Sequence, residues 1–238
     1  QERQEFCRSV QMIFQDPYAS LNPRMSIREI LEEPFRLEPS LSNNEKQRRI
    51  DELLEIVGLD ESVLERYPHE FSGGQRQRIS IARTLVLRPK LIIADEPVSA
   101  LDVSIQAQIL NLLKELQEKL GLTYVFISHD LGVMRYIADR VVVMYLGNVV
   151  EDAPVESLYK APSHPYTKAL LDAIPKPDPR KRAKKNLLEG DLPSPMNPPT
   201  GCVFHTRCAF AEEKCKKNRP VLRENNLENT HKVACHMI

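Results

Sequence analysis

Two short apolar runs, each ending in polar residues and joined by a helix-length stripe, leave few folds open to this chain. Leu91-Ile92-Ile93-Ala94 runs into Asp95 and Glu96, and Tyr124-Val125-Phe126-Ile127 runs into Ser128, His129 and Asp130. Apolar runs without polar alternation fit strands buried on both faces of a mostly parallel sheet. Between them Ile105, Ile109, Leu112, Leu113, Leu116 and Leu120 recur at helical spacing, and Gly121 closes the stripe. Strand, helix, strand implies a right-handed parallel crossover. It delivers the polar residues to the carboxyl ends of the strands, where open α/β sheets bind ligands.

The flanking segments extend this pattern. Val10-Gln11-Met12-Ile13-Phe14 is a further strand candidate, stopped by Gln15-Asp16-Pro17 because proline cannot continue an interior strand. From Ser26 to Leu87 the periodicity predicts helices. Ser42 and Glu45 suggest a capping box, Ile50, Leu53, Leu54 and Val57 share a face, and Gly58 can close that helix. Val141-Val142-Val143-Met144 and Val149-Val150 flank Leu146-Gly147-Asn148, which predicts a hairpin at the edge of the sheet. Past it, prolines 154, 162, 165, 175, 177, 179, 193, 195, 198 and 199 predict an irregular extension.

Charge narrows the function classes. The 33 basic and 33 acidic residues cancel, so no overall field draws the chain to nucleic acid or an anionic membrane surface. Arg180-Lys181-Arg182-Ala183-Lys184-Lys185 is a local basic run, read as a solvated linker. No apolar run is long enough to span a bilayer, and the first residues are polar rather than signal-like, so the expectation is a protein that is soluble or held at a membrane by a partner.

Three motifs carry chemistry. Phe71-Ser72-Gly73-Gly74-Gln75-Arg76-Gln77-Arg78 precedes a helical stretch; Ser72 can cap it, the glycines admit a phosphate to the backbone, and the helix N-terminus favours an anion. Asp95 and Glu96 end a buried strand, as phosphoryl transfer needs: one carboxylate to hold Mg²⁺ and one to orient and deprotonate water. Ser99-Ala100-Leu101-Asp102 reads as a turn and helix start, and His129 closes the next strand where a terminal phosphate would sit.

In order and spacing, Gln15, Ser72-Gly73-Gly74-Gln75, Asp95-Glu96, Ser99-Ala100-Leu101-Asp102 and His129 resemble the Q-loop, signature, Walker B, D-loop and H-loop of an ABC transporter ATPase subunit. Three further segments resemble the dipeptide and oligopeptide importer ATPases over nearly the whole chain: Phe14 to Arg24, His164 to Leu171 and Gly201 to Cys208. Nickel and glutathione importers share much of this pattern. ABC-type ATPases that act on DNA or ribosomes lack the second segment and the cysteine tail.

The resemblance implies an α/β fold: a partial RecA-like P-loop ATPase core, a helical signature subdomain and an irregular cysteine-containing extension. It divides the chain into 1–16, a core remnant ending in the Q-loop; 17–88, the helical subdomain; 89–150, the core with Walker B, D-loop and H-loop; and 151–238, the extension. It makes Glu96 the base, His129 the holder of the γ-phosphate, and Gln15 a Mg²⁺ sensor linked to the membrane subunit. Asp95 would bind Mg²⁺ with Gln15. Ser72, Gly73, Gly74 and Gln75 would meet ATP held by the opposite subunit of a head-to-tail dimer, with Asp95 and Asp102 also among the nucleotide-binding residues. The implied partners are a second ABC ATPase subunit, identical or not, two transmembrane permease subunits and, indirectly, an extracytoplasmic substrate-binding protein. The implied location is the cytoplasmic face of the bacterial inner membrane.

No glycine begins a G-x-x-x-x-G-K-[ST] pattern. That pattern supplies the lysine and the backbone nest that neutralise the β- and γ-phosphates. The expectation is therefore an N-terminally truncated chain that does not hydrolyse ATP alone and folds poorly in isolation. The competing expectation is a non-catalytic partner that lends its signature in trans.

Cys202, Cys208, Cys215 and Cys235 crowd the proline-rich extension, with Cys7 apart as a bystander. Clustered cysteines without a secretory signal read as metal ligands rather than disulfides. Zinc, free thiols and an iron–sulfur cluster all fit the spacing; the resemblance implies a four-iron four-sulfur cluster.

Overall fold

The structure, a computed structural model, describes residues 2–174, 190–225 and 228–237. The basic run Arg180 to Lys185 and prolines 175, 177 and 179 lie outside the described residues. The chain forms two compact units, Gln1–His129 and Asp130–Ile238.

The first unit is built on a parallel sheet of β1 (Val10–Ile13), β2 (Leu91–Asp95) and β3 (Thr123–Ile127), in the order β1-β2-β3. Helix α1 (Glu2–Ser9) leads into β1. Between β1 and β2 lie α2 (Pro17–Ser20), α3 (Ile27–Glu32), α4 (Asn43–Val57) and α5 (Gly73–Leu85), and α6 (Val103–Leu120) is the crossover from β2 to β3. Local signals account for most of the ends. Asp16 caps α2, Ser42 caps α4, and Gly58 and Gly121 close α4 and α6 in the left-handed conformation that costs glycine nothing. The box expected at Ser42 has one arm, the Glu45 N–H to Ser42 Oγ bond; the reciprocal boxes are Ser26 with Glu29 and Ser72 with Gln75.

Three expectations need correcting. β2 alternates between buried and half-buried residues rather than being buried on both faces, and β3 leaves Val125 48% and Ile127 47% exposed. Successive strand residues face opposite ways, and at β3 the face shared with Ile92 and Ala94, carrying Tyr124 and Phe126, is half-buried while the other is exposed. Leu120, the last residue of α6, is exposed past the end of the packed stripe, whereas Ile109, Leu112, Leu113 and Leu116 are buried.

The third correction concerns the hairpin. β4 (Arg140–Tyr145) and β5 (Asn148–Pro154) pair antiparallel as expected, but in a separate sheet of order β4-β5-β7-β6, not at the edge of the parallel one. β7 (Glu228–Val233) takes the free edge of β5, pairing Glu151 with Val233, and β6 (Arg223–Asn225) pairs with β7. The extension is thus partly regular. Its prolines limit element length: besides those strands it holds α8 (Val155–Lys160), α9 (Pro165–Ala173) and α10 (Glu213–Lys217), after α7 (Leu131–Ile137) at the start of this unit. Among the described residues no helix is long and apolar enough to cross a membrane.

Candidate ATP site and cysteine segment

The parallel register builds the first cluster. Ile13, Ala94 and Phe126 are level across β1, β2 and β3, so the residues that follow leave the sheet along one edge. β2 is central, which sets Glu96 between its neighbours. Gln15 Nε2 donates to Glu96 Oε2 at 2.8 Å, and His129 Nδ1 lies 2.9 Å from Glu96 Oε1.

The Glu96 backbone serves this arrangement. It has φ 43°, a left-handed conformation that costs a non-glycine residue about 1–2 kcal/mol. Its N–H donates to the Ile127 carbonyl at 3.0 Å, and its own carbonyl accepts from the Ser99 N–H and hydroxyl. The reversal breaks strand alternation directly after Asp95, which stays paired with Ile127. The hydrogen bond from His129 is the main influence holding the Glu96 carboxyl below the usual carboxylate range. The charge of His129 and bonds from Ser99 and Gln15 act the same way, against partial desolvation. A depressed folded pKa contributes stability above the unfolded pKa and loses it as pH falls through the folded one, so the Glu96 contribution is lost in acid.

The signature segment opens α5. The Ser72 Oγ accepts the Gln75 N–H at 3.4 Å, while Gln75 Oε1 accepts the Ser72 N–H at 3.0 Å and the Ser72 hydroxyl at 3.1 Å. Ser72 and Gly73 are exposed, so the first turn of this helix offers N–H groups and its dipole to solvent. Asp102 caps α6 through its carbonyl, which accepts the Gln106 N–H at 2.8 Å, and its carboxylate makes no capping bond. The structure therefore brings Gln15, Glu96 and His129 into one cluster and sets Ser72 to Gln75 on another element.

Residues 1–99 match the ABC transporter family, and residues 150–215 match the oligopeptide/dipeptide transporter C-terminal region. The chain is 57% identical to the putative oligopeptide transport ATP-binding protein YkfD of Bacillus subtilis, covering 99% of this chain and 72% of that protein. It is 57% identical to the oligopeptide transport ATP-binding protein OppF of Escherichia coli, covering 95% of this chain and 68% of that one. This chain belongs to the ATP-binding subunits of the oligopeptide and dipeptide ABC transporters. Its fold is similar to cbiO1 from Clostridium perfringens, part of the ABC transporter complex cbiONQ, at TM-score 0.60 and 30% identity over 66% of this chain and 61% of that one. It is also similar to the ATP-binding cassette MJ0796 in a dimeric post-hydrolysis state with ADP and Pi, at TM-score 0.56 and 32% identity over 65% of this chain and 66% of that one.

Sequence reasoning missed two features of this ABC subunit. Gln77, one turn into the signature helix, is fully buried with neither amide atom hydrogen-bonded; nothing in a glutamine among arginines signals that. In the second unit Glu151 is fully buried. It accepts the N–H of Ser163 at 2.6 Å and of His164 at 3.0 Å, and His231 Nε2 lies 2.7 Å away. The run Val149-Val150-Glu151 reads as a hairpin strand and gives no sign of that burial. His164 then caps α9, its Nδ1 accepting the Tyr166 N–H at 3.1 Å. Burial pushes the His164 pKa down to about 4, consistent with a neutral acceptor.

The cysteine segment of the subunit packs through Phe204, whose ring lies 5.2 Å from Tyr145 and 5.5 Å from His164. The Cys202 N–H donates to the Cys215 carbonyl at 2.8 Å. Gly201 admits that contact: a Cβ there would meet the Cys215 carbonyl oxygen at 2.4 Å. Backbone N–H groups of Phe204 and Phe210 point at the sulfurs of Cys202 and Cys208, and that of Met237 at Cys235 Sγ. Burial pushes the Cys202 and Cys208 thiols up, with the neighbouring cysteines adding to the rise. Among the described residues no three His, Cys, Asp or Glu side chains are grouped to hold a metal ion. Cys7, in the first unit, is half-exposed.

Proposed function

We propose that this chain couples ATP hydrolysis to peptide import, with Glu96 as the water-activating base, His129 at the γ-phosphate and Gln15 at the Mg²⁺ and the membrane subunit. The observation that carries the reading is the convergence of these three side chains at the level ends of three parallel strands. The residues fit the groups they would meet. The Asp95 carboxylate at the end of β2 and the Gln15 side-chain oxygen are hard donors suited to Mg²⁺, which would neutralise phosphate charge, and Glu96 beside them is ionised as a base must be. Residues 72–75 present a capped helix start to an anion. Ser72, Gly73, Gly74 and Gln75 would meet ATP held by the facing subunit of a head-to-tail dimer, with Asp102 at the same dimer seam.

In this reading residues 1–16 and 89–150 form the nucleotide core, 17–88 the helical subdomain, and 151–238 the importer-specific extension. The subunit pairs with a second ABC ATPase, identical or a sister, under two permease subunits at the cytoplasmic face of the inner membrane, served by an extracytoplasmic binding protein. The peptide cargo rests on the names of the relatives and on the match over residues 150–215.

Replacing Ser72 with arginine tests the trans contact. In the assembled ATPase dimer, Ser72→Arg is expected to cut hydrolysis by about 10²-fold or more, as loss of one positioned donor does, while nucleotide binding on the other face persists. Unaltered turnover sinks the reading.

Cys202, Cys208, Cys215 and Cys235 are proposed to hold a four-iron four-sulfur cluster that stabilises the extension. Its support is the set of N–H groups aimed at three of the sulfurs and the nearness of Cys215 and Cys235 to both Cys202 and Cys208, whose thiols they push up. A cluster spaces its thiolates more widely than a single ion does. Iron and acid-labile sulfide near four per chain are expected in anaerobically purified protein, falling on Cys208→Ser; zinc in their place would rule the cluster out.

A further inference from the structure

The start of the signature helix and the first turn of α6 are packed with no room between them. A Cβ added to Gly74 would lie 2.6 Å from Ile105 Cγ2, and one added to Gly73 would lie 3.4 Å from Leu101 Cδ2. Gly74 is helical and lacks a positive φ, so the backbone conformation does not demand glycine there. Space does. The Ile105 methyl cannot swing aside cheaply, because a β-branched side chain in a helix has one strongly preferred rotamer.

We infer that Ile105 is a positioning residue that locks the signature turn to the segment Ser99–Asp102 within one subunit. Ile105 follows the Asp102 cap in the first turn of α6, and Leu101 lies inside the segment itself. Close-packed groups transmit displacement rather than absorb it. Movement of Gly73 and Gly74 toward a phosphate therefore carries Ser99–Asp102 with it, and a shift of that segment at the dimer seam re-aims the signature. The glycine pair then has two tasks, admitting the phosphate and admitting α6. The inference rests on the signature role proposed above for residues 72–75.

The test uses the intact subunit in its assembled ATPase dimer, with kcat, KM for ATP and Tm read for each variant. Gly74→Ala is expected to lower Tm and to cut kcat about tenfold, as overpacking of this size does, with KM within about twofold. Adding Ile105→Ala leaves the Ile105 Cβ at 3.8 Å from the new methyl, an ordinary contact, and Tm is expected to recover toward the parent, while kcat keeps whatever loss the methyl causes at the phosphate. Ile105→Ala alone, which leaves a gap, is expected to lower kcat, whereas Ile105→Val keeps Cγ2 and is expected to stay within about twofold of the parent. A double variant with Tm as low as that of Gly74→Ala, or Ile105→Ala at full rate, overturns the coupling. Full hydrolysis by Gly74→Ala overturns the signature role beneath it. Should Gly74→Ala not fold, the contrast between Ile105→Ala and Ile105→Val decides.

Discussion

Glu96→Gln is expected to slow ATP hydrolysis by about 10²–10⁴-fold while nucleotide still binds. The amide is nearly isosteric, so the φ 43° turn and the bond from Gln15 Nε2 to Oε2 have an oxygen equivalent to keep. What disappears is the proton acceptor. In the parent, His129 and Gln15 hold the carboxyl ionised well into acid, so at neutral pH it is an acceptor throughout. A base whose pKa is held down abstracts a proton with less driving force but is always in the correct state. Positioning by Gln15 and His129 supplies what basicity does not. Single-turnover hydrolysis and nucleotide binding, measured on the assembled dimer, separate the two effects. Turnover within about tenfold of the parent would assign the base elsewhere.

Glu151→Ala is expected to destabilise the second unit by about 3–5 kcal/mol, the cost of breaking a fully buried hydrogen-bonded pair from one side. Removal of the carboxylate leaves the N–H groups of Ser163 and His164 and the His231 ring without their acceptor in a site closed to water. The damage would not stay local. Ser163 and His164 lead into α9, and the His164 ring packs on Phe204 between Cys202 and Cys208. Glu151→Gln keeps one acceptor oxygen and is expected to cost less. Denaturant unfolding of the intact subunit measures both; a loss under about 1 kcal/mol for Glu151→Ala would mean the site collapses around the gap or admits water.

Both predictions concern carboxylates that look alike in the sequence, yet only one was legible there. Glu96 follows an apolar run and precedes a proline, so its placement at a strand end could be read directly. Glu151 sits in a run that also reads as half-exposed hairpin. Its burial depends on β7 pairing beside it, and that pairing joins residues about eighty positions apart: Glu151 with Val233 and with His231. The extension read as irregular because prolines mark where long elements stop, but they do not announce short strands recruited from far along the chain. The opposite error came at β3. Val125 and Ile127 are apolar in composition yet half exposed, because burial belongs to what packs on a face and not to the residue alone.

By itself the sequence determined what acts through near neighbours: the Ser72 cap, the glycine closures at Gly58 and Gly121, the order of the ATPase motifs and the four clustered cysteines. These signals lie within one or two turns of chain, where side-chain caps and backbone freedom act locally. Only the tertiary structure decided that Gln15, Glu96 and His129 meet, across separations of 81 and 33 residues, through the register of three strands. It alone decided that Gly74 faces Ile105 and that Glu151 is sealed from water. The physical reason is the same in each case: register and close packing are set by contacts between distant segments, and no local pattern records which distant segment will arrive.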